Sequence, residues 1–307
     1  MPYARNQRTL IKLQRIKREL PLHLMLIPGI VIIAIFCYLP MFGIIIAFQK
    51  FNPLMSFKSP FIGLENFRFM FNLPTFWQVV RNTVEISFMR IVFGLITPIV
   101  ISLLINELRS VRFMRATQVV LFIPYFLSWV ILTSIFREMF SLNGIVNSVL
   151  EPLLGHKIFF MADGRWFRAI LIITGVWQGM GYNIVIYSAA IIGTNPALYE
   201  AAIVDGAGRF RRAWHVTLPA IRPIIILLTT LSIGGLLSAG FDQIYLMYNP
   251  LVYESADVLD TFIYRLGMTD GQYGVSSALS LVRSVVGLFL VGSSYYLAYK
   301  FSDYRIF

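Results

Sequence analysis

This sequence is short of charge: Asp, Glu, Lys and Arg make up 13% of its 307 residues, against 57% hydrophobic. A soluble domain carries about 25% charged residues. Polar groups this sparse cannot cover a water-facing surface, so the apolar excess must face lipid. Cysteine occurs once, at Cys37, which excludes a disulfide scaffold and a cysteine-rich metal site. The three histidines, His23, His156 and His215, are too scattered for two of them to share metal-ligand spacing on one helix. No Gly-Lys pair exists from which to build a Walker turn, and no Gly-x-Ser-x-Gly turn suggests a hydrolase. The apolar runs also lack the chain of acids and histidines that a proton-driven carrier needs. A chain without its own reaction centre is most simply a pathway, with its energy supplied from elsewhere.

What the sequence does have is apolar length. A helix needs about 20 mostly apolar residues to cross a bilayer, and six stretches qualify: Leu24–Phe48, Val79–Leu104, Ala116–Phe136, Ala169–Ile192, Ile221–Phe241 and Val275–Tyr299. The expected fold is therefore an all-α membrane protein of six spans. Residues 1–23 form a basic tail and residues 24–307 the membrane domain. The first run is too long for a signal-peptide core and no small-residue cleavage site follows, so it should remain as an anchor.

Twenty-six Lys and Arg against fifteen Asp and Glu give a net charge of +11, which in a soluble protein would suggest nucleic acid. The location of the cations says otherwise. They gather in the tail (Arg5, Arg8, Lys12, Arg15, Lys17, Arg18), after the second span (Arg109, Arg112, Arg115), after the fourth (Arg209, Arg211, Arg212) and after the sixth (Lys300, Arg305). The alternate loops hold Glu138, Glu151, Asp163, Asp242, Glu254, Asp257, Asp260 and Asp270. By the positive-inside rule both termini are cytoplasmic, and the net charge reports topology, with no nucleic acid implied. Leu10–Leu20 alternates apolar and basic residues, which suits either a helix on anionic lipid or an unstructured basic tail.

The stretch 195–219, NPALYEAAIVDGAGRFRRAWHVTLP, carries the most information. Asn195 before Pro196 is a helix start, and Gly206 permits the left-handed turn that ends the helix after Asp205. A basic segment, Arg209–Val216, follows before Pro219 opens the fifth span. Ala201 and Ala202 beside Glu200 would let another protein approach the backbone closely. The alternative is a self-contained loop in which Asp205 pairs with Arg209.

Glu200-Ala201-Ala202, two residues, Asp205-Gly206-Ala207 and a spaced Leu218-Pro219 resemble the EAA loop of permease subunits in binding-protein-dependent ABC importers. Trp214 and Val216 replace the usual Phe and Ile of that pattern. The resemblance implies the type I importer fold and makes Glu200, Ala201, Ala202, Asp205, Gly206 and Ala207 the positions that couple to a separate ATPase subunit. Phe241-Asp242-Gln243-Ile244-Tyr245 through Asn249-Pro250, with Asp260-Thr261 and Tyr264-Arg265, resembles the carbohydrate branch, specifically its oligosaccharide and polysaccharide-fragment permeases. It further implies a second, homologous permease, two ATPase subunits that bind ATP and Mg, an extracytoplasmic solute-binding protein, an oligosaccharide substrate, and residence in the bacterial inner membrane. No cofactor is expected in this chain, and it is expected not to be an enzyme. The rival reading is an ion-coupled secondary transporter, which would need paired repeats or intramembrane acids; neither is evident.

Polar residues inside the spans mark either a passage or a helix contact. Trp177, Gln178, Tyr182, Asn183 and Tyr187 in the fourth span include two aromatic–amide pairs four residues apart, suited to stacking on sugar faces and bridging hydroxyls. Arg90 and Arg283 lie too deep for easy snorkelling. They pair with Glu85 or Asp242, or else contact sugar hydroxyls or carboxylates; two unpaired arginines on the route would suit a uronate. Ser238, Gly240, Asp242 and Gln243 form a further candidate patch.

Overall fold

The computed structural model describes residues 19–302. Leu10–Arg18, the earlier tail cations and Arg305 lie outside that range. Among the described residues the chain is helical, with one isolated bridge between Gln49 and Phe61. Helix α1 is Glu19–Phe48, and α2, Glu65–Asn72, is a short amphipathic piece. Then come α3, Pro74–Asn106, α4, Val111–Phe126, α5, Trp129–Met139, α6, Ile145–Leu154, and α7, Gly164–Ile192. Helix α8 is Pro196–Val204 and α9 is Arg209–Gly234. Three short helices follow: α10, Phe241–Met247, α11, Tyr253–Ala256, and α12, Leu259–Tyr264. The last is α13, Tyr273–Ser302.

Five of these helices, α1, α3, α7, α9 and α13, are long and apolar enough to cross a membrane. The third expected span, Ala116–Phe136, is a broken pair instead: α4 and α5 meet at 98°. Pro124 removes a helical N–H, and Leu127 and Ser128 adopt extended backbone. Ser128 then caps α5, accepting from the Ile131 amide at 3.5 Å. The new direction buries Leu132, Thr133 and Phe136, and Leu132 and Phe136 join Phe167 and Leu171 in the main core.

The fifth span also ends sooner than expected. Helix α9 stops at Gly234, residues 235–240 leave the helix, and Phe241 begins α10. Gly240 holds φ +90°, a conformation that L side chains rarely adopt.

Helices α3 and α7 form the central pair. Pro98, buried within α3, cannot bond the carbonyl of Gly94 one turn back. Asn183 Nδ2 on α7 donates to that carbonyl at 3.4 Å, so the neighbouring helix restores what proline removed. Gly181 lets α4 press in: a Cβ there would lie 2.4 Å from the Leu121 carbonyl oxygen. The second half of α1 packs on α13, while most of its apolar surface stays uncovered.

Candidate functional site

Two regions bring together some of the residues singled out by sequence: the loop at one end, and a polar notch between α3, α7 and the end of α9.

The loop is built by its own backbone signals. Asn195 Oδ1 accepts from the Ala197 amide at 3.0 Å, capping α8, with Pro196 in the first turn. At the other end Gly206 has φ +75°. The Ala207 amide reaches back to the Ala202 carbonyl at 2.8 Å and the Gly206 amide to Ile203 at 3.0 Å, the paired bonds of a Schellman ending. Tyr199 Oη lies 3.0 Å from Thr217 Oγ1 and fixes α8 against the start of α9, where residues 213–217 widen into a π turn ahead of Pro219. The Asp205–Arg209 pair of the alternative, self-contained loop does not form. Gly206 ends the helix between them, so the four-residue spacing no longer makes neighbours. Arg209 instead meets Glu107, just past the end of α3, at 3.5 Å. That contact puts loop 195–219 at the same end as the α3–α4 turn.

No residue of α8 is buried. Leu198, Ile203 and Val204 are exposed, Val204 at 87%, and so are Phe210 and Trp214. Glu200 and Asp205 are exposed and form no ion pair among the described residues. The surface is an outward helix of small and apolar residues with two exposed carboxylates.

The notch is an open cleft of about 260 Å³ lined by Ser87, Arg90, Ile91, Gly94, Asn183, Ser232, Gly235 and Ser238. Arg90 Nη1 donates to the carbonyl oxygen of Ala239. Its guanidinium lies where a Cβ on Gly175 would come within 2.3 Å and one on Gly240 within 2.2 Å, so two glycines make its seat. The expected Glu85–Arg90 pair is absent. Five residues around a helix place two side chains on different faces, and Glu85 binds Arg81 at 2.5 Å and Arg168 at 2.7 Å. Arg283 does not pair with Asp242 either. It meets Asp260 at 2.7 Å, the Ser238 hydroxyl at 2.8 Å and the Leu237 carbonyl at 3.2 Å. Both deep arginines thus donate to the non-helical segment after α9, whose carbonyls would otherwise lack partners.

The other candidates separate. Trp177 packs edge-on against Phe136 at 5.8 Å and lines an apolar groove with Phe93, Val176 and Met180. Tyr182 stacks on Tyr125 at 5.2 Å, and Gln178 donates to the Tyr125 carbonyl at 3.4 Å; both serve the bend between α4 and α5. Tyr187 is fully buried. Asp242 is exposed in the first turn of α10. Gln243 is buried and donates to the Leu171 carbonyl at 3.0 Å and to Thr174 Oγ1 at 2.7 Å. Of the proposed route residues, only Arg90 and Asn183 share the notch, joined by Ser238.

Sequence reasoning missed the end opposite α8. There a cleft of about 480 Å³ holds Arg81, Asn82, Arg165, Arg168 and Glu254. The Arg81–Glu85 spacing of four was the available signal. Nearby, burial holds Asp257 above the ordinary carboxylate range despite Thr261 and Arg265, and burial likewise raises Asp260 against the pull of Arg283.

Comparison with known proteins gives a consistent picture. Residues 91–305 match the family described as binding-protein-dependent transport system inner membrane component. The protein LplB of Bacillus subtilis (strain 168) is 40% identical over 294 residues, covering 95% of this chain and 92% of that protein. The polygalacturonan/rhamnogalacturonan transport system permease protein YteP of the same organism is 38% identical over 305 residues, covering 99% and 94%. A crystal structure of a bacterial ABC transporter involved in the import of the acidic polysaccharide alginate contains a chain that superposes with a TM-score of 0.88 at 35% identity, over 94% of this chain and 98% of that one.

Proposed function

Because the chain belongs to the family of binding-protein-dependent transport system inner membrane components, we propose that it is the permease subunit of an ATP-driven oligosaccharide importer of the bacterial inner membrane. In this reading it encloses a pathway with a second, related permease. Two ATPase subunits, which hold the ATP and Mg, bind beneath, and a solute-binding protein delivers the sugar from outside.

The observation that carries the reading is α8. A helix capped at both ends by its own sequence, with no buried residue and two carboxylates that form no ion pair among the described residues, has the form of a rigid piece made to sit in another protein's cleft. Its ending at Gly206 and its tie to Thr217 join it to α9, so force applied to α8 moves a membrane helix. Glu200, Ala201, Ala202, Asp205, Gly206 and Ala207 are its coupling residues. Relatives whose names specify galacturonan and arabinooligosaccharide transport support the substrate class. The polar notch supports a sugar route through Arg90 and Asn183. Cations at the α8 end favour a cytoplasmic location for it.

Co-purification tests the reading. The ATPase expressed with this chain and its neighbouring permease should be recovered from detergent extracts with the wild type and lost with Glu200→Lys. Recovery and transport unchanged by Glu200→Lys would remove α8 as the coupling element.

A further inference from the structure

Among the described residues the membrane region contains two deep arginines, and only one has a counter-ion. Arg283 is neutralised by Asp260 at 2.7 Å. Arg90 forms no ion pair among the described residues, and its one hydrogen bond goes from Nη1 to the Ala239 carbonyl, which leaves Nε and Nη2 with unused donors. A cation held at membrane depth without a carboxylate is costly. Two glycines are nonetheless committed to seating this one, since a Cβ on either Gly175 or Gly240 would collide with the guanidinium.

The surroundings are polar where a packing site would be apolar. Ser87, one turn before Arg90 on α3, is 3% exposed, and its hydroxyl has no partner. Buried hydroxyls are normally satisfied, so this one, in the wall of the cleft, keeps a hydrogen bond to give among the described residues. The Asn183 amide and the Ser238 hydroxyl complete the lining. One cation, one orphaned hydroxyl, an amide and a second hydroxyl in an open cleft of about 260 Å³ match a sugar ring that carries an acid group.

We propose that this notch is a carboxylate subsite on the transport route: Arg90 supplies the charge for a uronate-type residue, and Ser87 and Asn183 engage its hydroxyls. This rests on the saccharide-permease reading and narrows its substrate class to acidic oligosaccharides. A guanidinium with unused donors and an unneutralised charge suits a carboxylate.

The test uses the assembled permease–ATPase complex without its solute-binding protein, so that selection upstream plays no part. Thermal stabilisation is titrated with trigalacturonate and with its methyl ester. The wild type should be half-stabilised by the acid at a concentration at least tenfold lower than by the ester. Arg90→Gln should abolish that preference, and Arg90→Lys, which keeps the charge, should retain it with weaker binding. Equal response to acid and ester in the wild type, or a preference that survives Arg90→Gln, overturns the subsite. If Arg90→Gln prevents assembly while the wild type ignores the acid, the missing counter-ion belongs to the partner permease and the proposal fails. A wild-type complex that imports saccharide with ATP once its solute-binding protein is restored, yet shows no acid preference, contradicts this inference alone; one that imports no saccharide with that protein restored contradicts the broader reading.

Discussion

Arg90 of α3 donates to the carbonyl oxygen of Ala239, the residue before the left-handed Gly240 that starts α10. A side chain from one membrane helix thereby completes the hydrogen bonding of a stretch where another helix has come undone. The segment 235–240 keeps its shape because Arg90 reaches it from α3 and Arg283 from α13.

That arrangement makes glycine essential at two places. Gly240→Ala brings a Cβ to 2.2 Å from Arg90 Nη1 at φ +90°, and Gly175→Ala meets the same guanidinium at 2.3 Å. Each should cost about 1–3 kcal/mol, read as a lower melting temperature of the purified complex. Gly179→Ala, on the same helix as Gly175 with nothing within 4 Å, should be neutral or slightly stabilising. Equal behaviour of all three would show that Arg90 does not occupy this seat.

The Arg283–Asp260 pair is largely buried, the two side chains being 29% and 13% exposed. Arg283→Gln should cost about 3 kcal/mol, because it strands a carboxylate. The double variant Arg283→Gln with Asp260→Asn should be more stable than Arg283→Gln alone. A strictly additive cycle measured by thermal melts would mean the two groups are not coupled.

Trp177 and Asn183, six residues apart on α7, should separate by phenotype. Trp177 packs on Phe136 beside an apolar groove, so Trp177→Ala should lower the yield and melting temperature, with uptake falling only in proportion to intact complex. Asn183→Ala should reduce uptake per complex, since Asn183 lines the notch. Its bond to Gly94 is long at 3.4 Å, so the loss of stability should be small. Uptake per complex and melting temperature on the same preparations distinguish the two.

Topology can be read by labelling. In a Cys37→Ser background, cysteine at Leu54, which is 95% exposed, and at Val204, 87% exposed, should react from opposite faces of the membrane, Val204 from the cytoplasm. Labelling of both from one face would contradict the chain path.

Where hydropathy governs, the sequence was readable. The four unbroken spans other than α9 lie within a few residues of their expected limits, and Asn195, Pro196 and Gly206 bound α8 as their chemistry requires. Hydropathy is blind to hydrogen bonding, however. A window over residues 116–136 averages apolar side chains and cannot register that Ser128 caps a new helix after Pro124. Nor does one over 221–241 register that a Gly234-Gly235 pair stops α9 while two distant arginines hold residues 235–240. The partners of those arginines were illegible for the same reason: Arg90 meets a backbone carbonyl 149 residues away, and no local spacing encodes that. The i, i+4 pair Arg81–Glu85 was encoded, and its presence already argued against Glu85 serving Arg90.

ATP-driven import is separated from ion-coupled transport by uptake of a labelled oligosaccharide into proteoliposomes holding the complete complex and its binding protein. Uptake should require ATP inside, survive collapse of the proton and sodium gradients, and disappear with Gly206→Val, whose β-branched side chain cannot hold φ +75° at the end of α8. Uptake that proceeds without ATP and follows an ion gradient would make the protein a secondary transporter and remove the importer assignment.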